Sequence, residues 1–167
     1  MDYRFGDSEL ITAQKKEDPE FAAQLARQTT RRGVVGIIER AGRYLVIRRS
    51  ASVIAPLLWA LPGGGIEPGE TKQQALVREF SEELGVPCEP IEEVLESITP
   101  WGVYLSWWTA RYTEKQINLF SPSRREVAEV AWMSLEEIQQ TPDKLASMNL
   151  FVDWVKASRT ETSARSN

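Results

Sequence analysis

Residues 64–86 read GGIEPGETKQQALVREFSEELGV, and this stretch decides how the rest of the chain is understood. Gly64 is followed six positions later by Glu70, and after seven further residues come Arg78-Glu79-Phe80, Glu82-Glu83 and Gly85-Val86. At ordinary residue frequencies, nine positions fixed at such intervals coincide in fewer than about one chain in a million. Thr71 with Gln74 three residues on is a capping-box signature, and Gly85 is the residue type that ends a helix in a left-handed turn. A helix is therefore expected over 72–84. Leu76, Val77, Phe80 and Leu84 make an apolar stripe for packing on a sheet, and Glu79, Glu82 and Glu83 fall at i, i+3 and i+4 beside it. A glycine-rich loop leading into clustered carboxylates suits a hard divalent cation together with a phosphate. Repulsion among the carboxylates should lift at least one of them above the ordinary carboxyl range.

The spacing G-x5-E-x7-R-E-U-x-E-E-x-G-U, with U apolar, resembles the Nudix box at every position, Phe80 being bulkier than usual at the first U. Similarity to the MutT-type branch of that family extends to Gly33-Val-Val-Gly-Ile-Ile-Glu39, Tyr44-Leu-Val-Ile-Arg-Arg-Ser50, Leu61-Pro-Gly-Gly64 and the Glu126–Ser134 run EVAEVAWMS, covering roughly residues 31–140. The resemblance implies an α/β fold, a Nudix-type α/β/α sandwich with a mixed β-sheet. It also implies a metal-dependent hydrolase of the pyrophosphate linkage in a nucleoside diphosphate derivative. On the same basis Glu79, Glu82 and Glu83 are metal ligands, the Gly64 carbonyl adds a backbone oxygen, and the ion is Mg²⁺ or Mn²⁺. Glu70 and Arg78 are read as scaffold, with Gly85 closing the box. Gly63, Gly64 and Gly65 allow close approach of a substrate to the backbone. The catalytic carboxylates are Glu79, Glu82, Glu83 and Glu126. Glu126 matches a late metal-binding glutamate and is preferred as outer ligand or base over Glu129, although a box glutamate can also fill the base role.

Substrate identity follows less directly. The resemblance ranks a MutT-type (d)NTP pyrophosphohydrolase first, an ADP-ribose or nucleotide-sugar pyrophosphatase second, and a dinucleoside polyphosphate hydrolase third, with a non-catalytic nucleotide-sensing domain as the rival class. Pro100 sits where ADP-ribose pyrophosphatases carry proline, and Tyr104 where dinucleoside polyphosphate hydrolases carry tyrosine. Trp101, Tyr104, Trp107 and Trp108 can either sandwich a base or pack in the core, and strand alternation sends Trp107 and Trp108 to opposite faces.

Length and composition bound the remainder. The 167 residues suit one domain with a single core. There is no histidine, which excludes Ser-His-Asp and Cys-His catalysis and leaves proton transfer to carboxylates. The lone Cys88 cannot form an internal disulfide and suits a reducing compartment, so a cytoplasmic location is expected. A net charge of −4, with no basic block longer than two arginines, points to a small nucleotide rather than a nucleic-acid polymer. The N-terminus has neither a basic start nor an apolar run, and no long apolar segment follows, so neither export nor a membrane is expected.

Residues 1–30 read as an extension. Asp18-Pro19-Glu20 opens a short helix through Gln28, and its Phe21, Ala22 and Leu25 can dock on the main domain or on a second subunit of a homodimer. The hydrolase domain is expected over 31–157 and a flexible tail over 158–167. Val34–Ile38 and Tyr44–Arg48 read as a hairpin around a turn at 40–43, with Arg48 and Arg49 on opposite faces. The MutT-type spacing favours Arg49 as the substrate-facing one. Further strands are expected over 91–98, 102–112 and 129–133. Ser134 with Glu137 caps a helix, and Pro142 opens another that ends near Lys156.

Overall fold

The computed structural model describes residues 31–99 and 102–165, so the expected N-terminal helix and the readings of Pro100 and Trp101 lie outside the described residues. In chain order the elements are β1 (Arg32–Ile37), β2 (Glu39–Arg40), β3 (Arg43–Arg49), β4 (Trp59–Ala60), β5 (Gly63–Gly65) and α1 (Lys72–Leu84). They continue with β6 (Glu89–Ile98), β7 (Tyr104–Arg111), α2 (Glu114–Ile117), β8 (Val127–Ser134), α3 (Leu135–Gln140) and α4 (Ser147–Arg165).

The strands form two sheets. One has the order β5-β1-β7-β6 and is mixed, because β1 and β7 run parallel while the outer pairs are antiparallel. The other is antiparallel, with β2, β4 and β8 all pairing with β3. Period-two alternation divides the core between them. Leu45, Ile47 and Trp108 pack on Leu76, Phe80 and Leu84 of α1, whereas Tyr44, Val46 and Trp107 pack on Ile138, Met148, Phe151 and Val155 of α3 and α4. The result is the expected α/β/α layering. Among the described residues no helix is long and apolar enough to cross a membrane.

Helix α1 begins and ends where its caps dictate. Thr71 accepts from the Gln74 N–H, the Gln74 side chain accepts from the Thr71 N–H, and Gly85 takes the left-handed conformation at φ 76°. Its buried face is rotated relative to the expected stripe. Ala75 rather than Val77 is buried, which carries Glu79 and Glu83, one and two turns further on, into the interior as well.

Several boundaries differ from expectation. The hairpin turn is in place, but its first arm is only Ile38–Arg40. The chain crosses between sheets after Ile37, so β1 pairs with β5 and β7 and not with β3. Pro142 does not open α4, because the residues after it are taken up by β4. Trp59 N–H donates to Asp143 O and Leu145 N–H to Trp59 O, which delays the helix to Ser147. The helix then passes Lys156 and runs to Arg165. Hydroxyls of Ser158, Thr160, Thr162 and Ser163 bond the carbonyls one turn back along this polar half.

Gly36 is one point where α1 approaches the sheet closely: a Cβ there lies 2.3 Å from Phe80 Cζ, in a ring with no solvent exposure. Gly36→Ala is expected to destabilise the fold by about 1–3 kcal/mol through overpacking. In urea denaturation the double variant with Phe80→Leu should cost less than the sum of the two single changes; strict additivity excludes the contact as the cause.

Candidate functional site

The site is built where α1 lies across β5. The main chain of Gly63 and Gly64 forms one wall, and only glycine fits there. Gly63 has φ +153° and a Cβ on it meets Val34 O at 2.1 Å, while a Cβ on Gly64 falls 2.3–2.5 Å from the carboxyl atoms of Glu79. Glu83 accepts the Gly63 N–H at 3.0 Å. Two buried carboxylates are thus pressed against bare backbone.

Arg78 organises the near side. Its Nε and Nη2 donate to the two oxygens of Glu70 at 2.6 and 3.0 Å, Nη2 also reaches Gly65 O at 2.7 Å, and Nη1 donates to Glu79 at 2.9 Å and to Glu82 at 3.3 Å. The Arg78 guanidinium, with the Glu67 N–H, holds the Glu70 carboxyl down at about 2. Glu70 and Arg78 therefore stand as a tie between the loop and the helix. Glu82 is half-exposed at the outer edge of this tie.

Burial sets the electrostatics of the inner pair. It raises the Glu83 carboxyl well above its ordinary value, an effect opposed by the Gly63 N–H and by Arg49 and reinforced by Glu79 and Glu126. Burial also raises Glu79, partly offset by Arg78. Two desolvated carboxylates with neighbouring acidic oxygens match what a hard divalent cation requires, and the Gly64 position leaves the Glu79 carboxyl the space a side chain otherwise fills. Among the described residues no three acidic or thiol side chains are already drawn within metal-holding range, since Arg78 takes oxygens of both Glu79 and Glu82.

The remaining candidates divide clearly. Arg49 and Arg48 diverge as alternation requires: Arg49 lies near enough to Glu83 to lower its carboxyl and donates from Nε to Ile54 O, whereas Arg48 faces Glu129 at 4.0 Å. Glu126, half-buried just before β8, is close enough to Glu79 and Glu83 to raise both, while Glu129 is exposed and turned away with Arg48. Gly65 is open, with nothing within 4 Å of an added Cβ. Among the described residues, Tyr104, Trp107 and Trp108 do not form a base sandwich. Tyr104, Trp107 and Trp108 are 1%, 1% and 7% exposed, their polar atoms bonded to Glu96, Ser97 and Ser106 respectively. Cys88 is buried, its thiol pushed up to about 12, and is no nucleophile.

Three supports were not legible beforehand. Lys72, in the first turn of α1, bonds Glu93 at 2.5 Å and Glu96 at 3.3 Å and so moors the helix to β6. Ser121 and Ser123 donate backbone N–H groups to Leu84 O and Glu83 O, closing the other end of α1. Buried Ser50 joins the end of β3 to the segment before β8, its Oγ donating to Arg125 O and its N–H to Glu126 O. The cluster of glutamates over 89–96 was the only available signal for the first of these.

Because folding raises Glu83, the folded chain holds that proton more tightly than the unfolded chain. Its contribution to stability is fully present below the ordinary carboxylate range and is lost as pH rises through the folded value. Glu83→Gln keeps the acceptor for Gly63 N–H and removes the charge. In metal-free protein at neutral pH this variant should melt at least roughly 2–4 °C higher, the shift that about 1 kcal/mol makes in a chain of this size. The gain should vanish at low pH in thermal scans by circular dichroism; a lower melting temperature at neutral pH contradicts the assignment of burial as the dominant cause.

The NUDIX domain family matches residues 27–155. Over 70 residues the chain is 42% identical to the nucleoside triphosphatase NudI of Enterobacter sp. (strain 638), a stretch covering 41% of this chain and 46% of that protein. Over 53 residues it is 49% identical to the CTP pyrophosphohydrolase of Escherichia coli (strain K12), covering 32% of this chain and 39% of that protein. It thus spans less than half the length of these curated relatives. The crystal structure of the MutT protein from Methanosarcina mazei Go1 aligns with a TM-score of 0.63 and 23% identity over 80% of this chain and 97% of that one, which establishes a shared fold. With a match over residues 27–155 of 167, including the whole of the glycine strand and α1, this chain belongs to the NUDIX domain family.

Proposed function

We propose that the chain is a divalent-metal-dependent pyrophosphohydrolase acting on nucleoside triphosphates. The observation that carries this reading is the buried pair Glu79 and Glu83 set against the Gly63–Gly64 backbone, an arrangement that leaves desolvated negative charge for a cation to neutralise. The relatives named nucleoside triphosphatase and CTP pyrophosphohydrolase support a nucleotide with more than two phosphates.

Nudix hydrolases generally use a divalent metal, and oxygen-only donors favour Mg²⁺ or Mn²⁺. Glu79, Glu82 and Glu83 are the residues that would hold it, with a backbone oxygen at Gly64. When bound, such an ion neutralises phosphate charge and lowers the cost of forming a nucleophile from water. The chain's own residues do the rest. Arg78 keeps Glu79 and Glu82 oriented, and the glycine wall admits phosphate oxygens close to main-chain atoms. Glu126 is the proton acceptor: its carboxylate takes the proton as the water oxygen bonds to phosphorus and the bridging P–O bond breaks, its electron pair leaving with the departing phosphate.

Glu82→Gln should reduce turnover of a nucleoside triphosphate panel by roughly 10²–10⁴-fold, and Glu126→Gln by less. Release of phosphate or pyrophosphate in the presence of Mg²⁺ or Mn²⁺ measures both. Full activity in Glu82→Gln contradicts the proposed role of the acidic cluster, and tight nucleotide binding without any turnover by the unmodified chain favours a sensor instead.

A further inference from the structure

Two carboxylates are buried beneath the first turn of α1, apart from the pair that faces Gly63 and Gly64. The Glu93 and Glu96 side chains are 5% and 12% exposed, and Lys72 Nζ reaches them at 2.5 and 3.3 Å. Tyr104 O–H donates to Glu96 at 2.5 Å, Ser106 Oγ donates to Glu93 at 2.6 Å, and Trp108 Nε1 donates to Ser106 Oγ at 2.8 Å. Among the described residues no buried side-chain nitrogen or oxygen lacks a hydrogen-bond partner. Stability alone does not account for this group. Desolvating one ammonium and two carboxylates offsets their attraction, and replacing such a buried set as a unit with uncharged side chains of similar volume often costs nothing.

Its place in the fold is specific. Glu79 and Glu83 stand seven and eleven residues beyond Lys72, two and three turns along α1 and within about 20° of the same line. In the sheet order β5-β1-β7-β6 these carboxylates lie against one edge strand, and Lys72 is tied to the other. The polar contacts on the β5 side run through the site itself: Glu83 accepts the Gly63 N–H, and Arg78 divides its donors among Gly65 O, Glu79 and Glu82. A cation competes for those carboxylate oxygens. Directional restraint away from the site comes from Lys72 at the start of α1 and from the Ser121 and Ser123 N–H groups at its end. The Glu79 carboxyl already fills the space of a Gly64 Cβ, and a shift of about 0.5 Å along the helix axis exceeds what an octahedral oxygen site tolerates.

We infer that Lys72 is a positioning residue for the cation carboxylates: through Glu93 and Glu96 it sets where α1 lies across the sheet, and it governs divalent-metal affinity more than stability. The inference rests on the proposed pyrophosphohydrolase reading and deepens it. Lys72 touches neither metal nor nucleotide. It acts through the helix that carries Glu79, Glu82 and Glu83.

The test is Mn²⁺ titration of the full chain, free Mn²⁺ being read by electron paramagnetic resonance, beside thermal unfolding in metal-free buffer. The K72M/E93Q/E96Q variant should melt within roughly 4 °C of the unmodified chain. It should bind Mn²⁺ roughly three- to thirtyfold more weakly. The E93Q/E96Q variant removes both negative charges but keeps oxygens for Lys72 Nζ, and it should bind Mn²⁺ within about threefold of the unmodified chain. Unchanged affinity in the triple variant overturns the inference. Equal weakening in both variants makes long-range charge the cause and overturns it too, and a triple variant that unfolds or melts far lower makes the group a plain stabilising element. In each of these cases the hydrolase reading stands. Failure of the unmodified chain to bind Mn²⁺ overturns both.

Discussion

One guanidinium fixes the geometry of this protein's site. Arg78 sits between the box loop and its own helix, spends two nitrogens on Glu70, one of them also on Gly65 O, and turns the third toward Glu79 and Glu82. A forked, permanently charged donor is suited to this, since a point charge cannot hold both oxygens of one carboxylate and reach two more groups. The ion-paired loop then holds β5 and α1 in register. Charge is shared unevenly as a result: Glu79 has part of its desolvation offset, whereas Glu83 relies on a single N–H and the more distant Arg49.

The helix that carries these groups is restrained along its whole length. Lys72 ties its first turn to the buried carboxylates of β6, Arg78 ties its middle to the loop, and the segment after α2 closes its last turn. Side chains on an element held at three points keep their spacing, which is what a cation demanding near-ideal geometry needs. The Lys72 network also absorbs Tyr104 and, through Ser106, Trp108. Of the two readings open to these aromatic residues, Tyr104 and Trp108 take the one of core support.

How much of this was legible depended on whether the deciding contact was local. Helix α1 was readable to the residue, because Thr71, Gln74 and Gly85 set its ends through bonds within four positions. The capped start of α3 at Ser134 was readable for the same reason. Misreadings came from partners distant in sequence. Whether β1 pairs with β3 or with β7 turns on where the chain leaves one sheet for the other, and nothing in Val34–Ile38 itself marks Ile37 as that point. Pro142 looked like a helix opener until Trp59 claimed the main chain beside it. Within the site, Glu79 and Glu83 are buried against Gly63–Gly64 while Glu82 stays at the exposed edge on Arg78, and Arg49 and Glu126 fall near the buried pair. The roles of Ser50 and Ser123 had no local signature, since each acts through a main-chain carbonyl of a remote segment.

The glycine strand divides the molecule into a part that cannot vary and a part that can. At Gly63 and Gly64 any side chain collides with Val34 O or with the Glu79 carboxyl, and at Gly36 with Phe80, so the wall facing the acidic pair offers no position at which to tune chemistry. Gly65 is the exception within the strand, since an added Cβ there meets nothing within 4 Å. The buried acidic pair is in this way fastened to a main chain that admits no substitution beside it, and variation is left to the open end of the strand and to the surface connections.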